Sequence, residues 1–337
     1  MRPRIPLDPE LRRGPFTVSE GREAGFGERR LAGRDLSRPF HGVRTPRDLG
    51  DGILTRCAAF ATRCTHDAFF SHVTAATLWE VPLPTRMLDS RMLDSRIDVS
   101  VPRPRRAPEG RGVRGHSVRV NEADIAERHG LPVSTPARLW CELGSVLGVD
   151  DLVVAGDFLI RRADPLVSPD ELATALERAP GRRGLRGLRE ALDLIDDRAE
   201  SPQESRIRMA LVRAKIPGMG VNVPVRGASG RVYRADFAFL DRGIVLEYQG
   251  DYHRERSQFR RDLTRSLDLQ TAGMTVILLG PDDTRSEPEF VERMRTLLRL
   301  HPERRQIDLP GPSEGRFAAT RREGAREGVR EGAREGA

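Results

Sequence analysis

Lysine is almost missing from this chain. Lys215 stands alone among 57 lysines and arginines in 337 residues. Cysteine is nearly as scarce. Cys57, Cys64 and Cys141 form an odd, sparse set, which argues against a disulfide framework and for a reducing compartment. Cys57 and Cys64 lack the short Cys-X-X-Cys bite of a zinc site, and their spacing of seven along a helical stretch reads as buried packing. Aromatic residues make up 5% and hydrophobic residues 38%, so several modest cores are expected in place of one large one. No run of about 18 apolar residues exists to cross a membrane. The first 16 residues are charged and rich in proline, without the apolar centre of a secretory signal. These absences lead to the expectation of a cytoplasmic protein with no membrane partner. A phosphate-cradling glycine loop and a nucleophile-elbow serine are also missing.

What the chain has in excess is arginine. Charged residues reach 32% and the formal net charge is +7. Arginine makes bidentate bonds to phosphate and guanine, so the excess is compatible with a nucleic-acid partner. An arginine-for-lysine bias also follows from GC-rich coding, and composition alone leaves both readings open.

The length accommodates two domains or a little more. Residues 1–15 read as a flexible arm. Residues 16–50 follow the order helix, turn, helix, basic hairpin, with Ser19 as the expected first cap, which is the order of a winged helix-turn-helix. Residues 51–165 read as a small α/β region, with helices over 51–64, 73–79, 135–147 and 150–160 and strands over 68–72, 97–101 and 116–120. Within it, 86–90 and 91–95 repeat the pentapeptide Arg-Met-Leu-Asp-Ser, a small duplication in an expected surface loop. The Arg103–Arg114 loop is basic, and a DNA contact and a solvated loop both fit it. Trp79 and Trp140 follow helical periodicity into a core. Residues 166–198 form a helical connector that starts at Ser168-Pro169-Asp170-Glu171, a serine cap followed by proline and acids. Residues 199–305 form a further domain. It has a helix over 201–215, a strand over 221–225, a hairpin over 233–249 turned by Asp241-Arg242-Gly243, and a helix over 257–272 with Phe259, Leu263, Leu267 and Leu269 on its apolar side. A buried strand over 274–279 and a closing helix follow. Residues 306–337 alternate charge with glycine and read as a disordered tail.

The residues that carry chemistry cluster on that hairpin. Asp236 lies on one strand, and Glu247 and Gln249 share a face of the other. Two carboxylates at hairpin distance repel, and a divalent cation relieves that repulsion. Oxygen-only ligands suit Mg²⁺ or Mn²⁺. Strand-end surface polarity is the bland alternative. Glu204, one turn into the preceding helix, is either a dipole-favoured acid or a further member of the site. His253 follows in a polar turn, where it is a plain turn residue or a phosphate contact. Asp262 and Arg265 lie three apart on one helical face, as a surface pair or as part of the site.

Taken together, Glu204, Asp236, the run Glu247-Tyr248-Gln249-Gly250, His253, Asp262, Arg265 and Gly273 resemble the DUF559 group of domains. That group is related to the very-short-patch-repair endonucleases within the PD-(D/E)XK superfamily, and the resemblance covers about residues 199–300. It implies a restriction-endonuclease-like mixed sheet flanked by helices, Mg²⁺ held by Asp236 and Glu247, and hydrolysis of DNA phosphodiester bonds. Two positions depart from the pattern: Gln249 stands where lysine is usual, and Leu278 where the last strand often has arginine.

The segments Phe70-Ser71-His72-Val73-Thr74-Ala75-Ala76, Gly112-Val113-Arg114-Gly115-His116 and Ser134-Thr135-Pro136-Ala137-Arg138, with the helical start before them, resemble AbiEi-type antitoxin proteins over about residues 15–160. This looser resemblance implies a DNA-binding winged helix, with Arg29, Arg30 and Arg34 on its second helix facing DNA. It also implies a partner protein in a toxin–antitoxin, repair or defence system. Two functions are therefore expected to compete: a Mg²⁺-dependent endonuclease, and a non-catalytic DNA-binding regulator with a degenerate nuclease domain.

Overall fold

A computed structural model of the chain describes residues 5–88, 96–179, 181–250 and 256–304. His253, the whole second pentapeptide repeat and the Arg/Glu/Gly/Ala tail lie outside the described residues. The chain divides into two units, Met1–Met209 and Ala210–Ala337, and the division falls inside the helix Pro202–Arg213. Each unit mixes helices with a sheet, so the protein is of the α/β class. No helix among the described residues is long and apolar enough to cross a membrane.

The first unit opens with three short strands, β1 (Phe16–Thr17), β2 (Leu36–Ser37) and β3 (Val43–Pro46), in the order β1-β3-β2. The helix Val18–Glu23 is capped by Thr17, in a reciprocal capping box with Glu20. Ser19 was the expected cap. It lies inside the helix and donates to Glu23, because Thr17 is the residue with extended backbone at the helix start. The second helix, Glu28–Leu31, is a single turn. Phe16, Leu31 and Leu36 pack with Leu11, Val18 and Phe26 into a small core.

A larger core follows beneath a five-stranded sheet built from β4 (Phe69–Phe70), β5 (Ile97–Pro102), β6 (Val113–Val118), β7 (Ile125–Arg128) and β8 (Leu131–Ser134). Their order is β6-β5-β4-β8-β7. The β5–β6 and β4–β8 pairs are parallel, and β4–β5 and β7–β8 are antiparallel. The hairpin β7–β8 departs from the expectation, which placed no strands there. Its turn is His129-Gly130, both at positive φ, the geometry of a two-residue hairpin turn that matches strand twist. Trp140, Phe69 and Phe70 are fully buried, each side chain worth about 2 kcal/mol or more of burial. The Trp140 indole N–H donates to the Leu152 carbonyl at 2.9 Å, so its one polar atom is satisfied. The helix Pro169–Glu177 starts at Ser168 in a capping box with Glu171, as its serine-proline-acid start implies.

In the second unit, β9 (Gly220–Arg226), β10 (Val232–Phe239), β11 (Ile244–Tyr248) and β12 (Thr275–Leu279) form one sheet in the order β12-β11-β10-β9. The first three pair antiparallel. The helix Arg256–Thr271 then carries the chain over to β12, which runs parallel to β11. Leu269 from that helix is fully buried among Val223, Val225, Ala235, Ala238, Val245 and Met274. Leu263 and Leu267, expected on the same apolar side, are exposed. They are six and two residues before Leu269, spacings that turn them off its face of the helix. β12 was expected to be buried. It is an edge strand, and Leu278 on it is exposed.

Candidate functional site

The β10–β11 hairpin brings the two expected carboxylates to one place. The register pairs Phe237 with Leu246, and one further step along it sets Asp236 across from Glu247. Opposite residues of an antiparallel pair lie on one face, with Cα atoms about 4.5–5.5 Å apart. On the other side of Asp236 the β9–β10 register is interrupted at Asn222, whose backbone is left-handed. Asp236 Oδ2 accepts the Tyr248 amide at 2.8 Å and so closes the hairpin ladder beyond Leu246. Gln249 lies one residue past β11. Its amide donates to the Leu279 carbonyl at 2.7 Å, which extends the β11–β12 pairing by one bond.

Glu247 meets the helix Arg256–Thr271. Its Oε1 accepts from Arg265 at 2.5 Å. The same Arg265 nitrogen donates to the Arg234 carbonyl, and the guanidinium lies 5.9 Å from the centre of the Tyr233 ring. One arginine thus neutralises Glu247 and ties the helix to β10. Asp262 lies one turn earlier on the same helix and is half-buried. Among the described residues no group of three or more His, Cys, Asp or Glu side chains is gathered as a metal-ligand cluster. The hairpin offers two carboxylates. That suffices for Mg²⁺, which keeps several waters and takes one or two protein carboxylates with substrate oxygens. The oxygen-only donor set fits such an ion, and at Glu247 the ion would compete with Arg265.

The other expected site residues belong to the first unit. Glu204 is buried, and its Oε2 accepts the Glu200 amide at 3.0 Å while its own amide donates to Ser201. It closes the first turn of its helix. Arg29 is exposed on the helix Glu28–Leu31. Arg30 is held by Asp35 at 2.8 Å and by the Ile5 carbonyl. Arg34, expected on the same helix, lies in the turn after it, because the helix ends at Leu31.

A second polar constellation was not foreseen as a site. Ser71, His72, Asp98, Ser100, His116, Ser134, Arg138 and Glu142 come from five separate stretches of the first unit and are linked by side-chain contacts. His72 and His116 stack with ring centres 4.0 Å apart, and His116 Nε2 is 2.9 Å from Asp98 Oδ1. Glu142, only 2% exposed, accepts from the His72 amide, the Ser134 hydroxyl and Arg138 Nε. Burial holds the His72 imidazole below the usual histidine range, so its ring is neutral near pH 7. The available signal was that Ser71-His72, His116 and Ser134 to Arg138 stand within the antitoxin-like segments.

No protein-family model matches the chain. Two uncharacterized proteins of Mycobacterium tuberculosis, one from strain CDC 1551 / Oshkosh and one from strain ATCC 25618 / H37Rv, are similar to part of it. Each is 35% identical over 119 residues, which is 35% of this chain and 44% of the relative. The chain therefore spans less than half the length of these relatives, and neither name states an activity.

Proposed function

We propose that this is a DNA-binding protein whose second unit is a restriction-endonuclease-like domain that hydrolyses phosphodiester bonds with Mg²⁺ or Mn²⁺. The observation that carries the reading is the opposition of Asp236 and Glu247 on adjacent strands of a mixed sheet, beside a helix that delivers a cationic side chain. Asp236 and Glu247 would hold the cation. When bound, it would supply a Lewis acid beside the scissile phosphate. Gln249, at the mouth of the hairpin, would orient a water by hydrogen bonding. An amide cannot take that water's proton, so the proton must leave to solvent or substrate. Arg265, released from Glu247, would face a phosphate oxygen, with Asp262 setting its orientation. In the first unit, the short helices and the β1-β3-β2 sheet fit a winged helix, with Arg29 and Arg34 as the DNA-facing cations. Arg30 serves the turn through Asp35.

A specific observation favours a second reading. Arg265 already neutralises Glu247, and no lysine stands at position 249. A site so occupied would bind DNA without cutting it, as a regulator or as one half of a toxin–antitoxin pair. Supercoiled plasmid incubated with Mg²⁺ or Mn²⁺ separates the two. Nicking by the wild type that is lost in Asp236→Ala supports the nuclease. DNA retention in a gel shift with no cleavage in either cation supports the regulator.

A further inference from the structure

The buried constellation of the first unit forms one wall of a cleft of about 1060 Å³. His72, Arg138 and Glu142 line it, and across from them the loop after the helix Pro169–Glu177 contributes Arg178, Arg182 and Arg183. Arg119 adds a further cation at the rim. The acids on the wall are already committed. Glu142 and Asp124 are both bound by Arg138, and Glu171 closes the cap of its own helix. Arg119, Arg178, Arg182 and Arg183 have no carboxylate partner among the described residues, so the cleft carries an uncompensated positive charge. Leu166, Val120 and Ala175 add apolar surface to the lining of the cleft.

The network behind that wall is costly for a structural element. His72 has a φ of 50°, the left-handed region that a residue with a Cβ occupies at a cost of about 1–3 kcal/mol. It is held there by the hydrogen bond its backbone N–H donates to Glu142 and by Ser71 Oγ, 3.0 Å from Nδ1. Ser71 Oγ in turn accepts from Ser100 at 2.7 Å. With Nδ1 engaged by Ser71, Nε2 is the ring nitrogen left for a ligand. Arg138 is 6% exposed, yet its Nη2 has no hydrogen-bond partner. A buried donor left unsatisfied costs about 1–3 kcal/mol, and apolar residues would fill the same space more cheaply. Strain, an orphaned guanidinium nitrogen and unpaired arginines converge on one cleft, which is the pattern of a site built for an anion.

We propose that this cleft binds a phosphate-bearing small molecule of nucleotide size, recognised by Arg138, Arg182 and His72. Arginine forks match phosphate oxygens bidentately, and several arginines exceed what a single carboxylate would need. The apolar surface takes the organic part of the ligand. The assignment is independent of the hairpin carboxylates of the second unit.

The test is calorimetric titration of the full chain with nucleoside 5′-monophosphates, with inorganic phosphate and with a short single-stranded oligonucleotide. Saturable binding of a monophosphate is expected, weakened about tenfold in Arg182→Ala. Arg182 is half-buried on the loop and takes no part in the Glu142 network, so this variant is expected to fold. Asp236→Ala is expected to bind the monophosphate unchanged, which separates this result from the fate of the nuclease reading. His72→Ala, checked for folding by near-ultraviolet circular dichroism, is expected to lose affinity as well. Absence of binding by every phosphate probe at about 10 mM would overturn the proposal. So would equal affinity in Arg182→Ala. Binding of the oligonucleotide alone, weakened in Arg182→Ala, would also overturn it, since the cleft would then be a nucleic-acid groove.

Discussion

The two units satisfy buried acids in opposite ways. In the first, Glu142 is buried in the wall of the cleft and shared among a backbone amide, a hydroxyl and an arginine that also holds Asp124. In the second, Glu247 is only half-buried and accepts from Arg265, which is itself partly exposed on its helix. A buried acid shared among several donors is held rigidly, and breaking the network strands a charge. A half-buried acid beside a partly exposed guanidinium is open to exchange, and a cation can take the guanidinium's place. The first arrangement suits a preformed cleft, the second a site that changes partners.

Removing the arginine from each network sharpens that contrast most. Arg138→Met leaves Glu142 and Asp124 without their cation and is expected to destabilise the first unit by about 3–5 kcal/mol in urea unfolding. A cost near zero would show that the network does not hold the fold of the first unit. Next in size is Gly184→Ala, on the loop that carries Arg182. Gly184 has a φ of +82°, and a Cβ there would come within 1.7 Å of the Gly144 carbonyl oxygen. A loss of about 2–3 kcal/mol is expected, with weaker monophosphate binding. Wild-type stability would mean that the loop can move.

Ser168→Ala is expected to cost about 1 kcal/mol at neutral pH. The Ser168 amide and hydroxyl hold the Glu171 carboxyl below its ordinary range. This acid therefore stabilises the fold above the unfolded carboxylate range, and the contribution disappears as pH falls through its folded value. The gap between wild type and variant should close on acidification, and a gap constant with pH would assign the cost elsewhere. Smallest is Arg265→Ala, with about 1 kcal/mol or less lost, because the pair is partly solvated. A loss as large as that of Arg138→Met would erase the difference between the units.

What was legible in the chain was local. Ser168-Pro169-Asp170-Glu171 announces a helix start, and Asp241-Arg242-Gly243 between two apolar runs announces the hairpin that sets Asp236 across from Glu247. Both are signals carried by a few adjacent residues. The β7–β8 hairpin was missed because Ile125-Ala126-Glu127-Arg128 is short and suits a helix as well as a strand. The inward side of the helix Arg256–Thr271 was misread because leucine marks a core face only when the tertiary packing agrees, and Leu263 and Leu267 face out. The Ser71–Glu142 constellation was hidden for a different reason. Its hydrogen-bonded members are up to 70 residues apart, and only the parallel β4–β8 and β5–β6 pairings bring them together.

The exchangeable acid pair is tested most directly by titrating the full chain with Mn²⁺ and counting bound ions by electron paramagnetic resonance. One Mn²⁺ site is predicted, abolished in Asp236→Ala and tightened in Arg265→Ala, where the guanidinium no longer competes. A protein that binds no Mn²⁺ even in Arg265→Ala, or whose Mn²⁺ affinity is indifferent to Asp236→Ala, would contradict the assignment.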